Sequence, residues 1–242
     1  MFKDINKKKK RLDSLRPLPI ETVKSIRKKV LLDWTYNSNA IEGNTLTLIE
    51  TKVILEGITV GGKTLREHLE VVNHREAILY IEDIVKNKEE LTEWQIRNIH
   101  RLILKGINDS YAGVYRDKDV LIAGASHIPP EHIMVKEKMS FFIQKYNKEF
   151  AKMHPIERAS RVHADFVLIH PFIDGNGRTA RLLLNFELMK NGYPPVVIKT
   201  EDRLSYYENL DKCSKMEYRD FIKMVAREVE NSLDLYLKLI DK

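Results

Sequence analysis

Apolar residues along this chain recur mostly at intervals of three and four, the repeat of a helix face rather than of a strand. Residues 20–42 set Val30, Trp34 and Ile41 on such a face, and Gly43-Asn44 is a natural stop behind them. Residues 45–60 predict a second helix, broken by Gly57 and by Gly61-Gly62. A long helix over 64–87 carries Leu65, Leu69, Val72, Ala77 and Ile81. Thr92, ahead of Glu93-Trp94-Gln95, has capping-box spacing and opens a helix to about Leu104. Residues 106–131 depart from the pattern. Gly106, Gly113, Gly124 and Pro129-Pro130 punctuate them, and Val120-Leu121-Ile122 is a short β-like run, so a loop with one hairpin is predicted. Helices resume over 131–150 and 155–169, the latter with Pro155 at a favourable first position. Another, opened by Gly177, runs to Met189 and stops at Lys190-Asn191-Gly192; residues 201–213 and 216–240 give two more. No repeat or low-complexity linker divides the chain. The pattern predicts one all-α (mostly) domain with a small β-hairpin.

Composition changes this picture little. The 242 residues are 43% hydrophobic and 31% charged, an ordinary globular mixture, and ten glycines with eight prolines are few for an all-β protein. The net charge of +6 raises the question of nucleic acid, and its distribution argues against it. Residues 1–11 hold six basic groups (Lys3, Lys7 to Lys10, Arg11) against Asp4, a local +5 that leaves about +1 for the other 231 residues. That basic stretch is expected to be a solvated, frayed terminus. The single cysteine, Cys213, excludes an internal disulfide and points to a reducing, cytoplasmic setting. No apolar run approaches the roughly 18 residues of a membrane span, and no apolar segment follows the N-terminal charges as in a secretory signal.

The candidate chemistry lies at residues 170–181, His-Pro-Phe-Ile-Asp-Gly-Asn-Gly-Arg-Thr-Ala-Arg. Arg178 and Arg181 fall in the first turn of a helix, where the dipole disfavours cations, and at i, i+3 they repel each other. An anion removes both problems. Gly175 and Gly177 let successive backbone N–H groups converge on one anion in front of a helix N-terminus, and guanidinium groups suit phosphate oxygens. Asp174 would repel phosphate unless a hard cation such as Mg²⁺ lay between them. His170 is a candidate general base near neutral pH. The chain has no GxxxxGK[ST] sequence, so this is not a P-loop. A second stretch, Ser38-Asn-Ala-Ile-Glu-Gly-Asn, mirrors the first. Ser38 and Glu42 share a helix face, and Glu42 stands at a helix C-terminus, where a carboxylate is disfavoured. A misplaced carboxylate and a misplaced guanidinium are candidates to pair across the fold.

Residues 170–181 resemble the Fic-domain family pattern His-Pro-Phe-x-(Asp/Glu)-Gly-Asn-Gly-Arg-x-x-Arg at every fixed position. Weaker likeness extends from about residue 92 to 225, through Tyr115-Arg116, Pro129-Pro130, Glu201-Asp202-Arg203 and Tyr206-Tyr207. The resemblance implies a helical bundle with a hairpin flap over about 118–128. It divides the chain into an N-terminal region, 1–60, and a core, 61–242. It also implies protein adenylylation, the transfer of AMP from ATP to a Ser, Thr or Tyr hydroxyl of a target protein with release of pyrophosphate. His170 would deprotonate the hydroxyl and Asp174 would hold Mg²⁺. Gly175, Asn176, Gly177 and Arg178 would bind phosphate, and Arg181 the γ-phosphate. Tyr206 and Tyr207 would line the adenine side. Val120, Leu121 and Ile122 would dock the target segment. In the same family Ser/Thr-x-x-x-Glu-Gly/Asn is an inhibitory motif, here Ser38, Glu42 and Gly43, whose glutamate pairs with the second arginine.

Other readings stay open at this stage. The same fold can transfer another phosphate-containing group from a CDP-linked donor, or use Glu42 in removing AMP. A silent binding module is the alternative of another class. Self-modification and a homo-oligomer are both compatible with the sequence. Each residue also has a plain structural reading: a solvated Glu42, a core Tyr206, a packing His163, a solvated His127, an ordinary hairpin.

Overall fold

The computed structural model describes residues 1–240. Ten α-helices account for the elements longer than one turn: α1 (Lys3–Ser14), α2 (Ile20–Ile41), α3 (Leu48–Leu55), α4 (Leu65–Lys86), α5 (Glu93–Leu104), α6 (Val135–Lys148), α7 (Pro155–Ile169), α8 (Asn176–Lys190), α9 (Arg203–Ser214) and α10 (Arg219–Ile240). Single 3₁₀ turns stand at 132–134, 150–152 and 200–202. Among the described residues no helix is long and apolar enough to cross a membrane.

The bundle is organised around α8. Leu182, Leu183, Leu184, Phe186 and Leu188 are all buried, so apolar contact surrounds this helix instead of striping one side. It packs against α7, α4 and α5, and more lightly against α2. One core gathers Ile78, Ile81, Ile96, Ile99, Phe142, Phe166 and Phe186 from α4 to α8. A second joins α1, α7, α9 and α10 through Ile5, Leu12, Leu210, Phe221 and Val229. Capping boxes start three helices, at Thr47/Glu50, Thr64/Glu67 and Thr92/Gln95. Pro155 opens α7 as its sequence predicts. The α7–α8 pair is the most extensive helix contact, and the turn between them, 170–175, is the candidate catalytic loop.

Three expectations are corrected. Residues 3–14 are not a frayed tail. They form α1, with Ile5 and Leu12 buried seven residues apart against α10, and Lys8 Nζ 2.8 Å from Glu230 and 2.7 Å from Asp234. The second correction concerns the hairpin: no strand is formed among the described residues, and 118–128 is an irregular excursion with a turn at Ile122–Ala125. Its polar groups are taken by side chains outside it. Arg116 Nη1 donates to Lys118 O (3.0 Å), and Asp211 accepts from Ser126 N (2.8 Å) and Oγ (2.6 Å). An isolated two-stranded ribbon is marginal in water, and here those contacts replace it. His127 is not simply solvated, since its Nε2 donates to Leu168 O at 2.8 Å.

Candidate active site

α7 ends at His170, whose backbone is left-handed (φ 49°, ψ 57°). A non-glycine residue tolerates this only where its surroundings hold it. Arg116 does so, its backbone N donating to Pro171 O and its Nε to His170 O, both at 2.9 Å. Below the loop, Phe172 is fully buried and stacks on the His100 ring, with centroids 3.6 Å apart. His100 spans the loop's floor. Gly113 N–H donates to its Nδ1 (2.9 Å), which leaves Nε2–H to donate to Asp174 O (2.8 Å). Burial pushes its pKa down to about 4, so both bonds are made by the neutral ring.

The imidazole of His170 is oriented as well. Val167 O is an acceptor, so the contact at 3.3 Å places the proton on Nδ1 and leaves Nε2 with a lone pair. Burial is the main reason that its pKa falls to about 4, helped by the charge of Arg116 and opposed by Val167 O and Glu42. The ring is therefore neutral at pH 7 and able to accept a proton.

Gly175 (φ 77°) turns the chain into α8. The first N–H groups of that helix have no intrahelical carbonyl ahead of them, an arrangement suited to an anion. The Asn176 side chain is engaged elsewhere. It accepts from Phe172 N (3.0 Å) and donates to Phe172 O (2.8 Å), so it pins the loop. The two arginines diverge. Arg178, 2% exposed, turns inward to Asp174 Oδ1 (3.1 Å) and Glu70 Oε1 (3.2 Å). Arg181, 3% exposed, donates to Ser38 Oγ (3.0 Å), Ser38 O (2.7 Å), Glu42 Oε1 (2.8 Å) and Tyr206 OH (3.3 Å). Arg181 thus pairs with Glu42, and Arg178 with both Asp174 and Glu70. Glu42, at the end of α2 before Gly43 (φ 98°), also presses on the mouth of α8: a Cβ on Gly177 would run into its Oε1.

Tyr206 does not wall an open pocket. It is 1% exposed, accepts from Arg181 and donates to His163 Nε2 (3.0 Å). Tyr207 is 40% exposed, and its hydroxyl donates to Ile41 O (3.2 Å). In the 118–128 excursion Leu121 is 79% exposed, whereas Val120 and Ile122 are half-buried. Four positions near the loop carried no signal of their own in the sequence: Arg66, Glu70, His74 and His100. The first three step along α4 at four-residue intervals, a spacing equally typical of a solvated face.

Asp174 stands immediately before Gly175, the N-cap of α8. Burial raises its pKa, but Arg178, Gly175 N–H and Arg66 together hold it below the usual carboxylate range. Among the described residues no group of three or more His, Cys, Asp or Glu could hold a metal. A single half-exposed carboxylate suits a hard cation that draws its other ligands from phosphates and water, as Mg²⁺ does.

The sequence profile of the Fic/DOC family matches residues 90–188. The chain is 40% identical over 240 residues to "Protein adenylyltransferase Fic" of Nematostella vectensis, covering 98% of this chain and 56% of that protein. It spans about half the length of the curated relatives it matches. Among solved structures, a Fic domain containing signaling protein from Bacteroides thetaiotaomicron superposes with a TM-score of 0.92 at 32% identity, over 98% of this chain and 96% of that one. Fic-1 from C. elegans gives 0.84 at 33% identity, over 98% and 72%. The helical architecture and the loop sequence agree with these likenesses, and the chain belongs to the Fic/DOC family.

Proposed function

We propose that the chain is an autoinhibited protein adenylyltransferase, moving AMP from ATP to a Ser, Thr or Tyr hydroxyl of a target protein. The observation that carries this reading is the occupied mouth of α8: Glu42 bonded to Arg181 and seated against Gly177, beside a His170 whose Nε2 is unprotonated. The curated relatives named for this activity support the choice of donor.

In this reading the phosphates lie across the first turn of α8 and meet its free N–H groups. The target hydroxyl approaches His170 along residues 118–128, where Leu121 offers an exposed apolar contact. Nε2 takes the hydroxyl proton, the oxygen bonds to the α-phosphorus, and the bond to the β-phosphate oxygen breaks as pyrophosphate leaves. Asp174 would hold Mg²⁺, which when bound neutralises charge on the phosphates. His100, Asn176 and Arg116 keep the loop in shape. Glu42 restrains the reaction, because the γ-phosphate needs the guanidinium that Glu42 occupies.

Label transfer from ATP radioactive at the α-phosphate tests this. Wild type, Glu42→Gly and Glu42→Gly/His170→Ala are compared in buffer and in lysate. Labelling of protein is expected to rise at least about tenfold in the single variant. It should fall by about 10²–10⁴ when the base is removed as well. Equal labelling of wild type and Glu42→Gly would remove the restraint from the proposal. Labelling that survives His170→Ala would remove the base.

A further inference from the structure

Asp174 has an inner and an outer oxygen. Oδ1 is fixed from within, by Gly175 N (2.6 Å) and the buried Arg178 Nη2 (3.1 Å). Oδ2 faces out and accepts from Arg66 Nη2 at 2.6 Å. Arg66 is the second residue of α4, and its side chain is 57% exposed. It also bonds through Nε to Glu70 Oε1 at 3.1 Å. Glu70 is anchored independently, its Oε2 accepting from Asn44 Nδ2 at 2.9 Å and its Oε1 lying 3.2 Å from Arg178 Nη1.

These contacts place an exposed cation on the oxygen that a metal arriving with a nucleotide would claim. Two cations do not share one carboxylate oxygen cheaply, and an exposed pair is weak enough to yield. Arg66 has somewhere to go, since Glu70 already holds its Nε. We infer that Arg66 is a placeholder for the divalent cation: it neutralises Asp174 while no metal is bound, and swings onto Glu70 when one arrives. A phosphate chain can then approach Asp174 even without metal, so nucleotide binding depends less steeply on Mg²⁺ than a bare Asp174 would dictate.

The inference rests on the reading of the site as one for ATP, and calorimetry can separate the two. ATP is titrated into wild type, Arg66→Ala and Arg66→Lys, in Mg²⁺ and in EDTA. The readout is the ratio of Kd in EDTA to Kd in Mg²⁺. Arg66→Ala should raise that ratio by about fivefold, weakening the metal-free complex and tightening the other. Arg66→Lys, which keeps the charge, should stay near wild type. In an Asp174→Asn background, where there is no charge to neutralise, Arg66→Ala should leave the ratio unmoved. A ratio unchanged by Arg66→Ala with Asp174 intact overturns the inference. So does loss of ATP binding in both conditions by an Arg66→Ala protein that melts like wild type, since Arg66 would then be a direct ligand. If wild type itself takes up no ATP in either condition, it is the nucleotide reading that fails.

Discussion

Arg181 has donors on four acceptor atoms, and only one of them belongs to Glu42. Those bonds would make the proposed restraint releasable although the ion pair is buried. Orphaning a buried charge costs about 3–5 kcal/mol. Without Glu42, however, Arg181 keeps Ser38 and Tyr206, and in the proposed function an incoming γ-phosphate would replace the carboxylate. The loss on release is therefore well below that range. The pairing was legible because each partner is misplaced in its own helix. Asn176 was not legible: a polar side chain in a Gly-rich turn suggests a ligand, and nothing local shows that its partner is the backbone four residues back. His100 was equally silent, a polar residue on an otherwise apolar helix face. His170 makes a sharper prediction at this scale. Its pKa of about 4 means that the ring, the proposed base, stays unprotonated through mildly acid pH. For Glu42→Gly, kcat/KM should stay flat from pH 7.5 to 6 instead of falling near the ordinary histidine value of about 6.5. Loss of the Glu42 charge moves the limb further down, because that charge raises the pKa. An acid limb centred near 6.5 would contradict the burial assigned to the ring.

At the scale of elements, α1 shows what a charge count conceals. Four consecutive lysines look like a solvated tail, yet Ile5 and Leu12 sit on one face and are 4% and 1% exposed. Twelve residues alone are too few for a stable helix in water. What holds α1 is α10, more than 220 residues away, with Glu230 and Asp234 waiting for Lys8. No local pattern announces a partner so distant. The well-capped helices were legible for the opposite reason, since a capping box and an apolar stripe are both local. Leu12→Ala should cost about 2–5 kcal/mol of unfolding free energy, as a truncation inside a packed core does. Urea unfolding would read this, and a change below about 0.5 kcal/mol would return α1 to the solvated state that its charges suggest. The 118–128 excursion erred the other way. Val120-Leu121-Ile122 has strand composition, but Asp211 and Arg116 bind its polar groups from outside before a second strand can.

For the molecule as a whole, buried histidines set an acid limit. His74, His100 and His163 are fully buried, and burial lowers the pKa of each, to about 4 for His100. The unfolded chain takes these protons near pH 6.5, whereas the folded one refuses them until far lower. Stability is therefore intact above about 6.5 and drains as pH falls toward 4. One unit below the ordinary value, three such groups withdraw about 4 kcal/mol, a large part of a typical 5–15 kcal/mol. Melting temperature should drop steeply between pH 7 and 5, and His74→Phe should soften the slope. A flat profile over that range would mean that these rings do take up protons in the fold. The pairing of α1 with α10 has one more consequence, in time rather than energy. During synthesis α1 leaves the ribosome well before its partner. At about 5–20 residues per second, Ile5 and Leu12 wait roughly ten to forty seconds for a surface to cover them. The same order would govern the proposed restraint on the site. Glu42 is made well before Arg181, so it stands ready as the catalytic loop folds, and no newly made chain passes through a stage with a finished site and no glutamate beside it.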